Sequence, residues 1–166
     1  MRRDHRGISM IEVIIVITIL AMLSLGVIGI YNSLGFANTK KAAGHVNNLL
    51  SKARIETMSK KDRIYTYIYQ IDGRLYSLQS IVDGLNTHSG GGLDVSVGMP
   101  FSKNISLFYI DDAGDTHELE DNQWISISFL KDSGAFNSYY SKIIFSSRND
   151  STYITFIKET GRHWVN

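Results

Sequence analysis

Nineteen consecutive residues, Val13 to Tyr31 (VIIVITILAMLSLGVIGIY), contain only two polar side chains, Thr18 and Ser24. At about 1.5 Å per residue a helix of that length spans a bilayer, and no charge occurs from Val13 to Thr39. A soluble domain rarely buries such a helix on all sides, so a membrane-inserted helix is expected. Arg2, Arg3 and Arg6 precede it and keep the amino terminus cytoplasmic by the positive-inside rule, which leaves the rest of the chain outside. A secretory signal peptide also has a basic start and an apolar run, but it needs a short run ending in small residues. Ser24-Leu25-Gly26 meets that loosely, whereas the run continues to Tyr31 and favours a retained anchor. The 166 residues leave room for one further domain.

A carboxylate stands at the head of this run. Glu12 costs free energy wherever lipid surrounds it, so an ionisable group at that place calls for a functional reason, the plain alternative being that it snorkels to the headgroups. Glu12 also lies one helical turn after Ile8, on the same face.

Together, the basic leader, Gly7 and the following ISMIEVIIVITILAML resemble the class III signal of type IV prepilins and of the pseudopilins of type II secretion and competence systems. The resemblance implies cleavage by a prepilin peptidase between Gly7 and Ile8, methylation of the new amine on Ile8, and retention of Glu12. It also implies partners: other pilins or pseudopilins in a filament, a membrane assembly platform, and the bilayer before assembly. In a bundle of such helices the ammonium of one subunit can meet the carboxylate of another, so that two costly charges neutralise each other in an apolar core.

Beyond the apolar run the helical period continues and becomes amphipathic. Ala42, Ala43, Val46, Leu49, Leu50 and Ala53 recur at three and four, with Lys41, Asn48, Lys52 and Lys60 at other angles. From Arg63 the period becomes two. Segments 63–71 and 74–82 alternate around Asp72-Gly73, a favoured hairpin turn. Residues 83–104, with SGGG and the single proline, read as a long loop with one short strand at 93–97. Further strands are expected at 105–110, 124–130, 142–147, 152–158 and 163–165. The expected fold class is α+β: a long amino-terminal helix, half transmembrane and half amphipathic, packed on an antiparallel sheet or two small sheets. The expected organisation is a leader at 1–7, a transmembrane half-helix at 8–38 and an extracytoplasmic domain at 39–166, made of a half-helix at 39–61 and a β-domain at 62–166.

The carboxy-terminal half carries a second resemblance. ISFLKDSGAFNSYYSKIIFS followed by STYITFIKETGRHWV is similar to the close of H-type pseudopilins and FimT-like minor pilins, and Ala53-Arg54 and Glu56 fall where their helix passes into the first strand. It implies a minor subunit, held in the cytoplasmic membrane and then built into a cell-surface or periplasmic filament.

Catalytic patterns are missing. The five histidines have no H-E-x-x-H spacing, and there is no G-x-S-x-G elbow or P-loop. The chain has no cysteine, which removes disulfides and thiol chemistry. No enzyme and no cofactor are expected. Asp111, Asp112 and Asp115 around Gly114 make a weak calcium candidate without the EF-hand order of ligands, read rather as a solvated hairpin tip. DNA is the second functional reading, because relatives by this resemblance serve DNA uptake, with Arg148, Lys158, Arg162 and His163 near Tyr153 and Trp164 as candidate contacts. It is not favoured. The 17 basic and 16 acidic residues nearly balance, and removing the leader takes away three arginines and one aspartate, moving the formal charge from +1 to −1.

Overall fold

The computed structural model describes residues 9–59, 62–84, 97–148 and 150–166, with the backbone alone for 25–34. Helix α1 spans Met10–Ser59. It is followed by β1 Tyr65–Ile71, β2 Arg74–Ser80, β3 Met99–Pro100, β4 Ser106–Asp111, β5 Thr116–Glu118, β6 Trp124–Ser128, β7 Tyr140–Ser147, β8 Asp150–Ile157 and β9 Arg162–Val165. The chain divides into two compact units, Met1–Leu34 and Gly35–Asn166.

In the second unit the strands form two antiparallel sheets, with orders β3-β2-β1-β6 and β5-β4-β7-β8-β9. The amphipathic stripe is the reason they come together. Ala42, Ala43, Val46, Leu50 and Ala53 are buried in one cluster with Ile68, Ile125 and Ile127 of the first sheet and with Leu107, Ile143, Phe145 and Ile154 of the second. Small residues on the helix let the backbones approach, and a single core serves all three layers. The expected α+β architecture, a helix on antiparallel sheet, is the one adopted, in its two-sheet form.

Alternation along β1 fixes which side faces the core. Thr66 and Ile68 pair across to Ile127 and Ile125, while Tyr65, Tyr67 and Tyr69 project from the opposite face. That outer face is covered as well: Tyr67 and Tyr69 are fully buried and pack with Tyr76 and Leu78. The Tyr67 hydroxyl donates to the Val82 carbonyl at 2.8 Å and accepts the Gly84 amide at 2.8 Å. Gly98 lies so close to the Tyr69 hydroxyl that a Cβ there would overlap it.

Several expectations shift. The strand expected at 93–97 falls mostly outside the described residues, and Val97 itself is not in a strand. Met99–Pro100 instead forms a two-residue edge strand on β2, a place that tolerates proline because an edge needs no further donor. The acidic segment 111–121 contains β5, paired with β4 through Phe108, Tyr109 and Ile110. The strand expected at 124–130 ends at Ser128, because Phe129 makes only an isolated bridge to Phe136.

Candidate functional site

In the first unit, Gly7 and Ile8, the expected cleavage and methylation positions, lie outside the described residues together with the leader. Glu12 is in the first turn of α1 and exposed, its amide donating to the Ser9 carbonyl at 2.9 Å. A carboxylate is favoured there because the helix amino terminus carries partial positive charge. The following side chains form an apolar surface on every side: Ile14 is 57% exposed, Ile17 60%, Leu20 57% and Leu23 63%. Its two hydroxyls are satisfied internally. Thr18 donates to the Ile14 carbonyl and Ser24 to the Leu20 carbonyl, each at 2.7 Å, so the surface offers no polar group that requires water. Among the described residues no helix is long and apolar enough to cross a membrane. The Val13–Tyr31 run extends into 25–34, whose side chains are outside the described set.

The second unit distributes the other candidates over separate surfaces. Arg148 is exposed in the β7–β8 turn with φ of 53°. Lys158 is paired with Asp112 and lies over the Tyr139 ring, 5.5 Å from its centroid. Arg162 and Trp164 share the outer face of β9, whereas His163 between them points inward. Its Nε2 is 3.0 Å from Ser51 Oγ and its Nδ1 is 3.1 Å from the Gly161 carbonyl. The four candidate DNA contacts are therefore not brought together. Sequence reasoning missed Lys142, whose ammonium sits 4.6 Å from the Tyr153 ring centroid on the same outer face as Trp164.

Two of the three calcium candidates are engaged in other contacts, Asp112 with Lys158 and Asp111 within its own turn. Asp111 accepts from the amides of Ala113 and Asp115 at 2.9 Å and from His117 at 3.0 Å. These bonds, His117 foremost, hold its carboxyl below the usual carboxylate range. Among the described residues no three acidic or histidine side chains are placed to hold a metal.

Two further features were not anticipated. Arg54 leaves the helix to donate to the Gly134 carbonyl at 3.0 Å and the Thr160 carbonyl at 2.9 Å, tying two loops to the helix. His45 lines a cavity of about 150 Å³ with Asn38, Lys41, Phe101 and Ser102. Its Nε2 is 3.1 Å from Ser77 Oγ, and burial lowers its pKa from the ordinary 6.5.

Residues 2–28 match the prokaryotic N-terminal methylation motif. This is the class III prepilin leader, and it supports a type IV pilin-like or pseudopilin subunit, processed by a prepilin peptidase, anchored through its amino-terminal helix and assembled with other pilins. No curated protein and no solved structure matches the chain.

Proposed function

We propose that this chain is a minor pilin or pseudopilin, a non-enzymatic structural subunit of a type IV pilus, type II secretion or competence filament. The observation that carries the reading is the methylation motif over 2–28, which takes in helical turns at 10–24 whose large apolar side chains are exposed on every side. Such a surface is stable only in lipid or against other helices. Before assembly the subunit sits in the cytoplasmic membrane with its amino terminus cytoplasmic and its β-domain extracytoplasmic. On assembly, Glu12 receives the methylated ammonium of a neighbouring Ile8. The H-type, FimT-like assignment is supported by the Thr160-Gly161-Arg162 turn, seated against the helix by Arg54. DNA uptake is not advanced as a function, since its four candidate contacts lie apart.

Mass spectrometry of the membrane-extracted protein should find an amino terminus at methylated Ile8 and 159 residues, the full 166 less the seven of the leader. A terminus after the apolar run would mean an ordinary signal peptide and would overturn the reading. Glu12→Ala should leave insertion and cleavage intact and abolish incorporation, because a buried half-pair costs about 3–5 kcal/mol. Glu12→Gln should fall between. Wild-type incorporation of Glu12→Ala would remove charge pairing from the mechanism.

A further inference from the structure

Two hairpins of the Gly35–Asn166 unit meet the same backbone demand with different residues. A two-residue connection between antiparallel strands takes a positive φ at its first position, which suits Gly, Asn and Asp. Between β1 and β2, where Ile71 lies opposite Arg74, that position is Asp72, at φ 49°. Between β7 and β8, where Ser147 lies opposite Asp150, it is Arg148, at φ 53°. A short Asp or Asn side chain bonds locally to such a turn, whereas a guanidinium on its long stem does not. A residue that breaks the local rule without local compensation directs attention to what its side chain reaches.

Arg148 lines a groove of about 450 Å³ with Gln70, Asn104, Ser106, Phe108 and Ser146. Asn104 is also left-handed, at φ 67°. Ser106 and Ser146 are opposite each other on β4 and β7. The Gln70 amide donates to the Gln123 carbonyl at 3.1 Å and its carbonyl accepts the Asn122 amide at 2.9 Å, which leaves the side chain to the groove. Among the described residues, the side-chain amides of Gln70 and Asn104, the two serine hydroxyls and the guanidinium have neither a hydrogen-bond nor an ion-pair partner. The cavity beside His45 is different, because its polar groups are already answered: His45 by Ser77 at 3.1 Å and Asn38 by Ser102 at 3.3 Å.

Charge selects the chemistry of the ligand. Arg148 is the one charged side chain that lines the groove, and carboxylates adjoin it: Asp72 precedes Gly73, Asp121 accepts the Gly73 amide at 3.0 Å, and Asp150 closes the hairpin. With no excess of positive charge, the groove does not suit an anion. Its amides and hydroxyls both donate and accept, and the half-buried Phe108 ring adds an apolar face. Several hydroxyls on an apolar ring match that lining, and small-molecule clefts run to about 300–1,000 Å³. We infer that this groove binds a neutral sugar, its hydroxyls held by Gln70, Asn104, Ser106, Ser146 and Arg148 and one ring face laid on Phe108. Sugar binding and filament assembly are separate properties, and either can fail alone.

The full chain would be held in dodecylphosphocholine micelles, a detergent without sugar, and titrated with the methyl glycosides of glucose, galactose, mannose and N-acetylglucosamine. Saturation-transfer NMR reads the binding. Expected is saturable transfer to at least one of these, weakened about tenfold or more by Gln70→Ala and by Arg148→Asn, as the loss of a ligand hydrogen bond implies. Arg162→Gln on β9 should leave it unchanged. Arg148→Asn should also keep or raise the melting temperature, because Asn suits the left-handed turn. A lower melting temperature for Arg148→Asn would mean that the arginine serves folding, and would overturn the inference. So would the absence of transfer to every neutral glycoside, or transfer that survives both Gln70→Ala and Arg148→Asn. Binding of sodium glucuronate with none of the neutral sugars would show an anion site and overturn it as well.

Discussion

Gly161 has φ of 63°, and a Cβ at this position would overlap the Gly134 carbonyl oxygen and approach Arg54 Nε to 3.2 Å. Gly161→Ala therefore meets both a left-handed backbone and a wall made of another backbone, and should cost at least about 2 kcal/mol. Gly73 has a similar φ, 67°, with nothing near its missing Cβ, so Gly73→Ala should cost only about 1 kcal/mol. Urea unfolding of both variants would check the order; equal losses would mean that the Gly134 approach relaxes freely. Protonation acts at the same scale. Burial lowers the pKa of His45 from 6.5, so the unfolded chain binds that proton first as pH falls. Stability should decline below about pH 6.5 and continue to decline until the folded-state imidazole titrates. His45→Gln should flatten that part of the profile. Asp111 works in a lower window, its pKa also lowered but by contacts that favour the charged form. Its carboxyl is held below its ordinary 3.8, so its contribution is complete above that value and is lost as pH falls through the folded-state pKa. Urea midpoints from pH 7.5 to 3 in wild type, His45→Gln and Asp111→Asn would separate the two windows.

Among the elements, the β1–β2 hairpin was the most legible in sequence because its causes are local. Asp72 at φ 49° and Gly73 at φ 67° form the turn whose twist matches the strands, and the flanking alternation sets its register, Ile71 opposite Arg74. The helix stripe was legible for the same reason, with Leu49 alone falling short of full burial. β3 and β5 were not. They are two and three residues long and exposed throughout, so the hydrophobic pattern carries no trace of them; they exist because a neighbouring strand supplies backbone partners. The candidate DNA contacts show a signal that was present and missed. Arg162 and His163 are successive residues of one strand, and period two puts them on opposite faces, which is where they lie. Arg54 gave no such signal, since its role depends on Gly134 and Thr160 arriving at one place. Arg54→Ala should cost about 2 kcal/mol by leaving two carbonyls without their charged donor, with Arg54→Lys recovering part; thermal melts of the two variants measure it.

For the whole molecule, the division at Leu34 and Gly35 predicts that a fragment of residues 35–166 is soluble and folds cooperatively, because it keeps Ala42, Val46, Leu50 and Ala53 with both sheets. A fragment beginning at Arg63 uncovers that shared core and should aggregate or lose fixed side-chain packing. Circular dichroism and light scattering on the two fragments decide it, and equal melting would contradict a core common to helix and sheets. The two tethers of the helix also have a mechanical meaning. The Thr39–Thr152 hydroxyl bond and the grip of Arg54 on two loops bracket the buried stripe. A pull entering at Gly35 must shear both tethers and drag Val46 and Leu50 through the core in one event. The unit bears tension as a clamp that fails all at once, a property suited to a subunit that is extracted from one environment and loaded in another.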